Sequence, residues 1–180
     1  MRQLTDAARL REFMRLLGRR TRAAGRVYLV GGACAVLHDW RATTIDIDID
    51  LDIDLDEGLD ALLREIPAIK EDLQVNVELA SPAHFIPELP GWRDRSPFVI
   101  REGTIDFHHY DFYAQALSKI ERAHARDVDD VREMASRGLI EPTRLAGFFD
   151  LIEADLYRYP ALDAASFRRA VEQTVQALTR

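Results

Sequence analysis

Residues 43–58 read TTIDIDIDLDIDLDEG. From Ile45 to Asp56 an isoleucine or leucine alternates with an aspartate. Side chains of a strand point alternately to opposite faces. Ile45, Ile47, Ile49, Leu51, Ile53 and Leu55 therefore share one face, and Asp46, Asp48, Asp50, Asp52, Asp54 and Asp56 the other. The pattern predicts a strand from Ile45 to about Ile53, since a longer one would exceed the usual strand length. Aspartate is disfavoured in strands, and at a rise of roughly 3.3 Å per residue the carboxylates of this face stand only about 7 Å apart. Enclosure would leave their repulsion poorly screened. Either the row is open to water, or part of it is neutralised by a cation. Magnesium takes one or two protein carboxylates and keeps positions for phosphate oxygens. Asp46 and Asp48 come first after the preceding turn and form the natural pair, while the later aspartates run out into solvent. On alternation alone, an acidic edge strand that deters aggregation is an equal reading. A calcium loop of the helix-loop-helix type is weaker, because the mid-loop glycine and twelfth-position glutamate are missing.

Working outward, Val27–Val30 is a short apolar run read as a buried strand, and Ala33–Asp39 as a short helix. Between them Gly31-Gly32 makes a strand-to-helix turn, where backbone amides can approach phosphate with help from the helix dipole. Upstream, Thr5 or Asp6 caps a helix carrying Ala7, Leu10, Phe13, Met14 and Leu17, with Gly25 as its stop. Downstream, Glu57–Ile66 is helical and ends at Pro67. Val75, Val77 and Leu79 alternate in a third strand. Ser81–Pro97 holds four prolines and reads as a loop. Phe98–Arg101 and Thr104–Tyr110 form a hairpin about Glu102-Gly103. Helices follow over Asp111–Ala123, Arg126–Ser136, Pro142–Tyr157 and Ala164–Leu178. Strands before residue 110 and helices after it predict an α+β fold. Its core, 1–110, is a mixed sheet flanked by helices, and 111–180 is a helical part packed on that core as one compact unit.

The 180 residues suit one compact domain, and 47% are hydrophobic, which excludes a disordered chain. No apolar run approaches the roughly 20 residues of a membrane span. The opening, MRQLTDAARLREFMRLL, is amphipathic and unlike a secretory signal. The single cysteine, Cys34, sits among apolar residues and reads as a small buried side chain in a reducing compartment. A cytoplasmic location is expected. A net charge of -7 excludes a general nucleic-acid binder. Arg11, Arg15, Arg19, Arg20, Arg22 and Arg26 still make the first segment locally basic.

Residues 29–48, LVGGACAVLHDWRATTIDID, resemble the signature of the DNA-polymerase-β-like nucleotidyltransferase superfamily. That signature is an apolar residue, Gly, Gly or Ser, a gap, then Asp-apolar-Asp. Here thirteen residues, Ala33 to Ile45, fill the gap. LSKIERAHARDVDDVREM, residues 117–134, is similar to the Lys…Arg-Asp-x-x-Asp segment of minimal bacterial nucleotidyltransferases, among them toxins of abortive-infection toxin–antitoxin pairs.

The resemblance implies magnesium, or manganese, on Asp46 and Asp48, and a nucleoside triphosphate such as ATP on Gly31, Gly32 and Thr44. It implies Lys119 as a phosphate-neutralising charge, and Asp127 or Asp130 completing the acidic cluster or orienting that lysine. A third catalytic carboxylate belongs on a later strand. Asp106 is the first choice, Asp111, equally a helix cap, the second, and Glu78 the third. The implied reaction transfers a nucleotide to an acceptor hydroxyl on a protein, an RNA end or a small molecule. A toxin role, with an antitoxin partner, is implied by the same likeness. The alternative is an inactive nucleotide-binding or regulatory module of the same fold.

Plainer readings stand beside these. His108 and His109 are adjacent on a strand and cannot both enter one site. His38, His84 and His124 show no zinc spacing. Lys119 equally suits a snorkelling surface lysine, and Arg126, Asp127 and Asp130 an ordinary ion-pair patch. Trp40 and Arg41 lie in the loop before the acidic strand, within reach of a nucleotide, though a packed Trp is the commoner case.

Overall fold

The computed structural model describes residues 3–180. Met1 and Arg2, the head of the amphipathic opening stretch, lie outside the described residues. The fold is α+β, with helices closing the C-terminal end. Backbone contacts divide the chain into two units, 1–81 with 96–110, and 82–95 with 111–180.

The first unit holds helix α1 (Ala7–Arg20), strand β1 (Gly25–Val30), α2 (Gly32–Leu37), β2 (Asp46–Ile53), α3 (Asp56–Leu73), β3 (Asn76–Leu79), β4 (Phe98–Glu102) and β5 (Ile105–His109). The strands form one mixed sheet in the order β3-β2-β1-β5-β4. β1 runs antiparallel to β2 and parallel to β5. The predicted alternation holds. Ile47 and Ile49 are fully buried with Val27, Leu29 and Phe107 on the face covered by helices, while Asp46, Asp48, Asp50 and Asp52 are half-buried on the other. Asp54 is exposed beyond the strand and Asp56 opens α3.

The boundaries of α3 and α1 differ from expectation. α3 does not stop at Pro67 but continues to Leu73. Leu62, Ile66 and Ile69 keep one buried face running through the proline. Pro67 itself lies on the exposed side, where the carbonyl it deprives of a partner can turn to water. α1 stops at Arg20, capped by Thr21, and Gly25 instead opens β1. Asp6 is the N-cap of α1, accepting a 2.9 Å bond from the Arg9 amide.

The second unit holds two short 3-10 turns, Pro82–His84 and Arg93–Arg95, inside the segment expected to be a loop. Helices α4 (Phe112–Arg122), α5 (Ala125–Ser136), α6 (Pro142–Glu153) and α7 (Ala164–Leu178) follow. α6 ends at Glu153, short of Tyr157, and a 3-10 turn occupies Leu156–Arg158. α4 is buried along nearly its whole length and packs against the other three helices. Edge-to-face contact of Phe149 with Phe167 (ring centroids 4.9 Å apart) joins α6 to α7.

Candidate active site

The sheet register decides which carboxylates meet. Asp46 lies opposite Asn76 and Asp48 opposite Glu78 across β2 and β3. The Asn76 amide donates to Asp46 Oδ1 at 2.6 Å and to Glu78 Oε1 at 2.9 Å. One neutral side chain thus ties two carboxylates together and leaves their charge in place. Asn76 was not foreseen as a site residue. The alternation of β3 puts it with Glu78, but only the register reveals that they stand beside the acidic pair.

The same register separates Asp106 from that pair. Asp106 lies opposite Arg26, which lies opposite Asp52. Asp52 is four residues from Asp48, about 13 Å along the strand. Asp106 also takes two hydrogen bonds from Arg101, at 2.5 and 2.6 Å. That guanidinium holds the Asp106 carboxyl below the usual carboxylate range. Asp52, Arg26, Asp106 and Arg101 therefore make a row of alternating charge at one end of the face. The acidic strand resolves its repulsion there with arginines, and at Asp46 with an amide. Asp111, the second choice for a third carboxylate, belongs to the second unit. There it caps α4 through the Tyr113 amide (3.1 Å) and takes two bonds from Arg95, at 2.7 and 3.1 Å.

The paired glycines sit against β2. Gly31 adopts φ 56° and ψ −117°, and a Cβ built on it would stand 3.3 Å from Asp48 Oδ2. A Cβ on Gly32 would meet Thr44 Oγ1 at 2.1 Å and Arg41 Nη1 at 3.8 Å. Thr44 donates its hydroxyl to the Asp46 carbonyl (3.0 Å), and its backbone pairs with Thr5. The missing side chains are thus what lets the acidic strand close on the turn. Gly31, Gly32, Thr44 and Asp48 are brought together, with Asp46 one strand step away on the same face. α2 has only six residues, so the dipole expected of it is small. Its first-turn amides still lie outside the intrahelical ladder.

Among the described residues, no three His, Cys, Asp or Glu side chains form a group that could hold a metal ion. Magnesium asks less of a protein, one or two carboxylates with the remaining positions left to water and phosphate. Asp46 and Asp48, two acidic side chains beside a turn kept free of Cβ atoms, fit that requirement.

The adjacent histidines face opposite ways, as read from the sequence. His108 shares a face with Tyr28, and its Nδ1 is 3.0 Å from the Ser96 carbonyl. His109 is buried on the other side, with Nδ1 3.2 Å from Cys34 Sγ and its ring 4.6 Å from that of His38. Burial, joined by the charges of His38 and His108, pushes its pKa down to about 3. It is neutral at physiological pH. Cys34 is buried, and its thiol donates to the Leu29 carbonyl.

In the second unit, the Lys119 ammonium donates to Asp127 Oδ1 at 3.1 Å and Asp130 Oδ2 at 2.7 Å. Arg122 adds a 3.0 Å bond to Asp127. Lys119 is only 5% exposed, so it is not a snorkelling surface residue. Asp127 and Asp130 lie one helical turn apart on α5, and both are buried.

A family model described as "Nucleotidyltransferase of unknown function (DUF6036)" matches residues 6–176. No curated protein and no solved structure matches the chain. Among the described residues, no helix is long and apolar enough to cross a membrane.

Proposed function

Because the chain belongs to this family of nucleotidyltransferases of unknown function, we propose that it transfers a nucleotide from a nucleoside triphosphate to a hydroxyl acceptor, with Asp46 and Asp48 holding the metal. The observation that carries the reading is the Asp48 carboxylate set against Gly31. A carboxylate beside a turn kept free of Cβ atoms supports a metal on the one and phosphate at the other.

In the reaction, the acceptor oxygen forms a bond to the α-phosphorus. The bond from that phosphorus to the bridging oxygen breaks, and pyrophosphate leaves. Bound magnesium, or manganese, supplies charge neutralisation for the triphosphate. Gly31 and Gly32 give the phosphates close access to backbone amides. Thr44 keeps the turn and the acidic strand together. The acceptor's proton passes to a carboxylate of the same face. Glu78, exposed and level with Asp48, is better placed for this than Asp106, which is committed to Arg101. Lys119 keeps, from the resemblance alone, the role of a phosphate-neutralising charge, oriented by Asp127 and Asp130.

The test is magnesium-dependent binding of each of the four nucleoside triphosphates, followed by pyrophosphate release in a cell lysate with radiolabelled donor. Wild type should bind and release, and Asp46→Asn with Asp48→Asn should do neither. Binding without release in any lysate would favour the second reading, an inactive nucleotide-binding module, which the pairing of Asp106 with Arg101 supports. A toxin role rests on the likeness of residues 117–134. It predicts that expression arrests growth, that the same two substitutions relieve the arrest, and that an antitoxin partner exists.

A further inference from the structure

We propose that Arg41 is the phosphate-binding cation of the glycine turn, gripping the polyphosphate of the donor nucleotide. This rests on the nucleotidyltransferase reading above. A triphosphate brought beside Asp46 and Asp48 carries its charge into an already acidic place. A six-residue helix offers too small a dipole to offset that. Beside the metal, a cationic side chain at the turn itself would add to the compensation.

Arg41 is that side chain. Its Nη1 would lie 3.8 Å from a Cβ on Gly32. The loop before β2 is folded so as to send it there. Asp39, at φ 60°, reverses the chain. The amides of Trp40 and Arg41 both donate to the Ala35 carbonyl, at 3.1 and 3.3 Å. Trp40 stacks on His38, with ring centroids 5.5 Å apart. These contacts anchor the backbone of Arg41 on α2, and its side chain reaches back to the first residue of that helix.

Opposite charges consequently flank the glycine pair, the Asp48 carboxylate at Gly31 and the Arg41 guanidinium at Gly32. The two divide the work. The carboxylate side takes the metal, and the guanidinium takes phosphate oxygens directly. A planar guanidinium can bond two such oxygens at once, which an ammonium cannot. The ligand class is therefore a polyphosphate chain, whatever base it carries.

Inorganic tripolyphosphate with magnesium is the probe, because it leaves base preference out of the measurement. It is titrated calorimetrically into the full wild-type chain and into Arg41→Gln and Arg41→Lys. The expected result is a loss of affinity of about tenfold or more in Arg41→Gln, as for a lost charged phosphate contact, and a smaller loss in Arg41→Lys. In the wild type, tripolyphosphate should also protect Arg41 from phenylglyoxal, read by mass spectrometry, so the outcome does not depend on either variant folding. Unchanged affinity in folded Arg41→Gln, or Arg41 modified as fast with ligand as without, overturns the proposal and leaves the nucleotidyltransferase reading standing. A wild type that binds neither tripolyphosphate nor any nucleoside triphosphate sinks both.

Discussion

Asp48 and Gly31 are fitted to each other: the carboxylate oxygen Oδ2 stands where a Cβ on the glycine would be 3.3 Å away. That closeness has two causes in the chain. Gly31, at φ 56° and ψ −117°, occupies backbone space closed to other residues. Asp48 is aimed at it because β1 and β2 pair Val30 with Asp48, one residue before the turn.

Gly31→Ala should therefore cost both stability and binding. The positive φ alone carries strain on the order of 1–3 kcal/mol, and the new methyl presses on Asp48. A lower thermal midpoint is expected, together with weaker magnesium-dependent nucleotide binding. A variant as stable as the wild type and binding equally well would show that the fit between these two residues is incidental.

Asp46→Asn and Asp48→Asn should have the opposite effect on the fold. Each removes one charge from a crowded face, so the thermal midpoint without metal stays level or rises. Magnesium with nucleotide should raise the midpoint of the wild type by mass action, and this gain should vanish in the variants. Asn76→Asp makes the complementary test. It puts a third charge between Asp46 and Glu78, where the amide now bonds both, and should lower the midpoint more in chelator than in magnesium.

Much of this is legible in the sequence alone. The alternation of residues 45–56 specified a strand with one apolar and one acidic face, and the structure has that strand with those faces. The glycine turn and the acidic pair are close in sequence, joined by one short helix and one loop, so their meeting followed from local pattern. Register is another matter. Whether Asp106 or Glu78 stands level with Asp48 depends on how β5 and β3 slide against their neighbours, and a strand's own alternation is blind to that. Arg101 and Asp106 face each other only because β4 pairs with β5 in one register. The continuation of α3 through Pro67 escaped for a related reason. A local breaker was outweighed by the burial of Ile66 and Ile69, which no nearest-neighbour rule contains.

Lys119 gives a sharper stability prediction. Its ammonium is buried between Asp127 and Asp130. Lys119→Met removes the ammonium shared by two buried carboxylates, while Arg122 still bonds Asp127. Breaking a buried pair from one side costs about 3–5 kcal/mol. Urea denaturation should show a loss of that order, and adding Asp127→Asn with Asp130→Asn should recover part of it by removing the stranded charges. A neutral single variant would mean that water reaches the cluster.

His109 should set how the fold responds to acid. Its pKa is about 3 in the folded chain, against an ordinary value of 6.5, chiefly because burial disfavours the imidazolium. Above 6.5 the ring is neutral whether folded or not, and it adds no pH dependence. Between 6.5 and 3 the unfolded chain binds a proton that the folded chain refuses, so acidification favours unfolding by about 1.4 kcal/mol per pH unit for this one group. Below 3 both forms are protonated and the loss levels off. From pH 7 to pH 5 the group should therefore remove about 2 kcal/mol of stability. His109→Gln, which cannot take up the proton, should lose correspondingly less over the same interval even if it is less stable at both ends. Urea midpoints of the two chains at pH 7, 6 and 5 decide it. Curves that stay parallel would mean that the imidazole is protonated in the native state, and that the pocket of Cys34 and His38 is wetter than its burial implies.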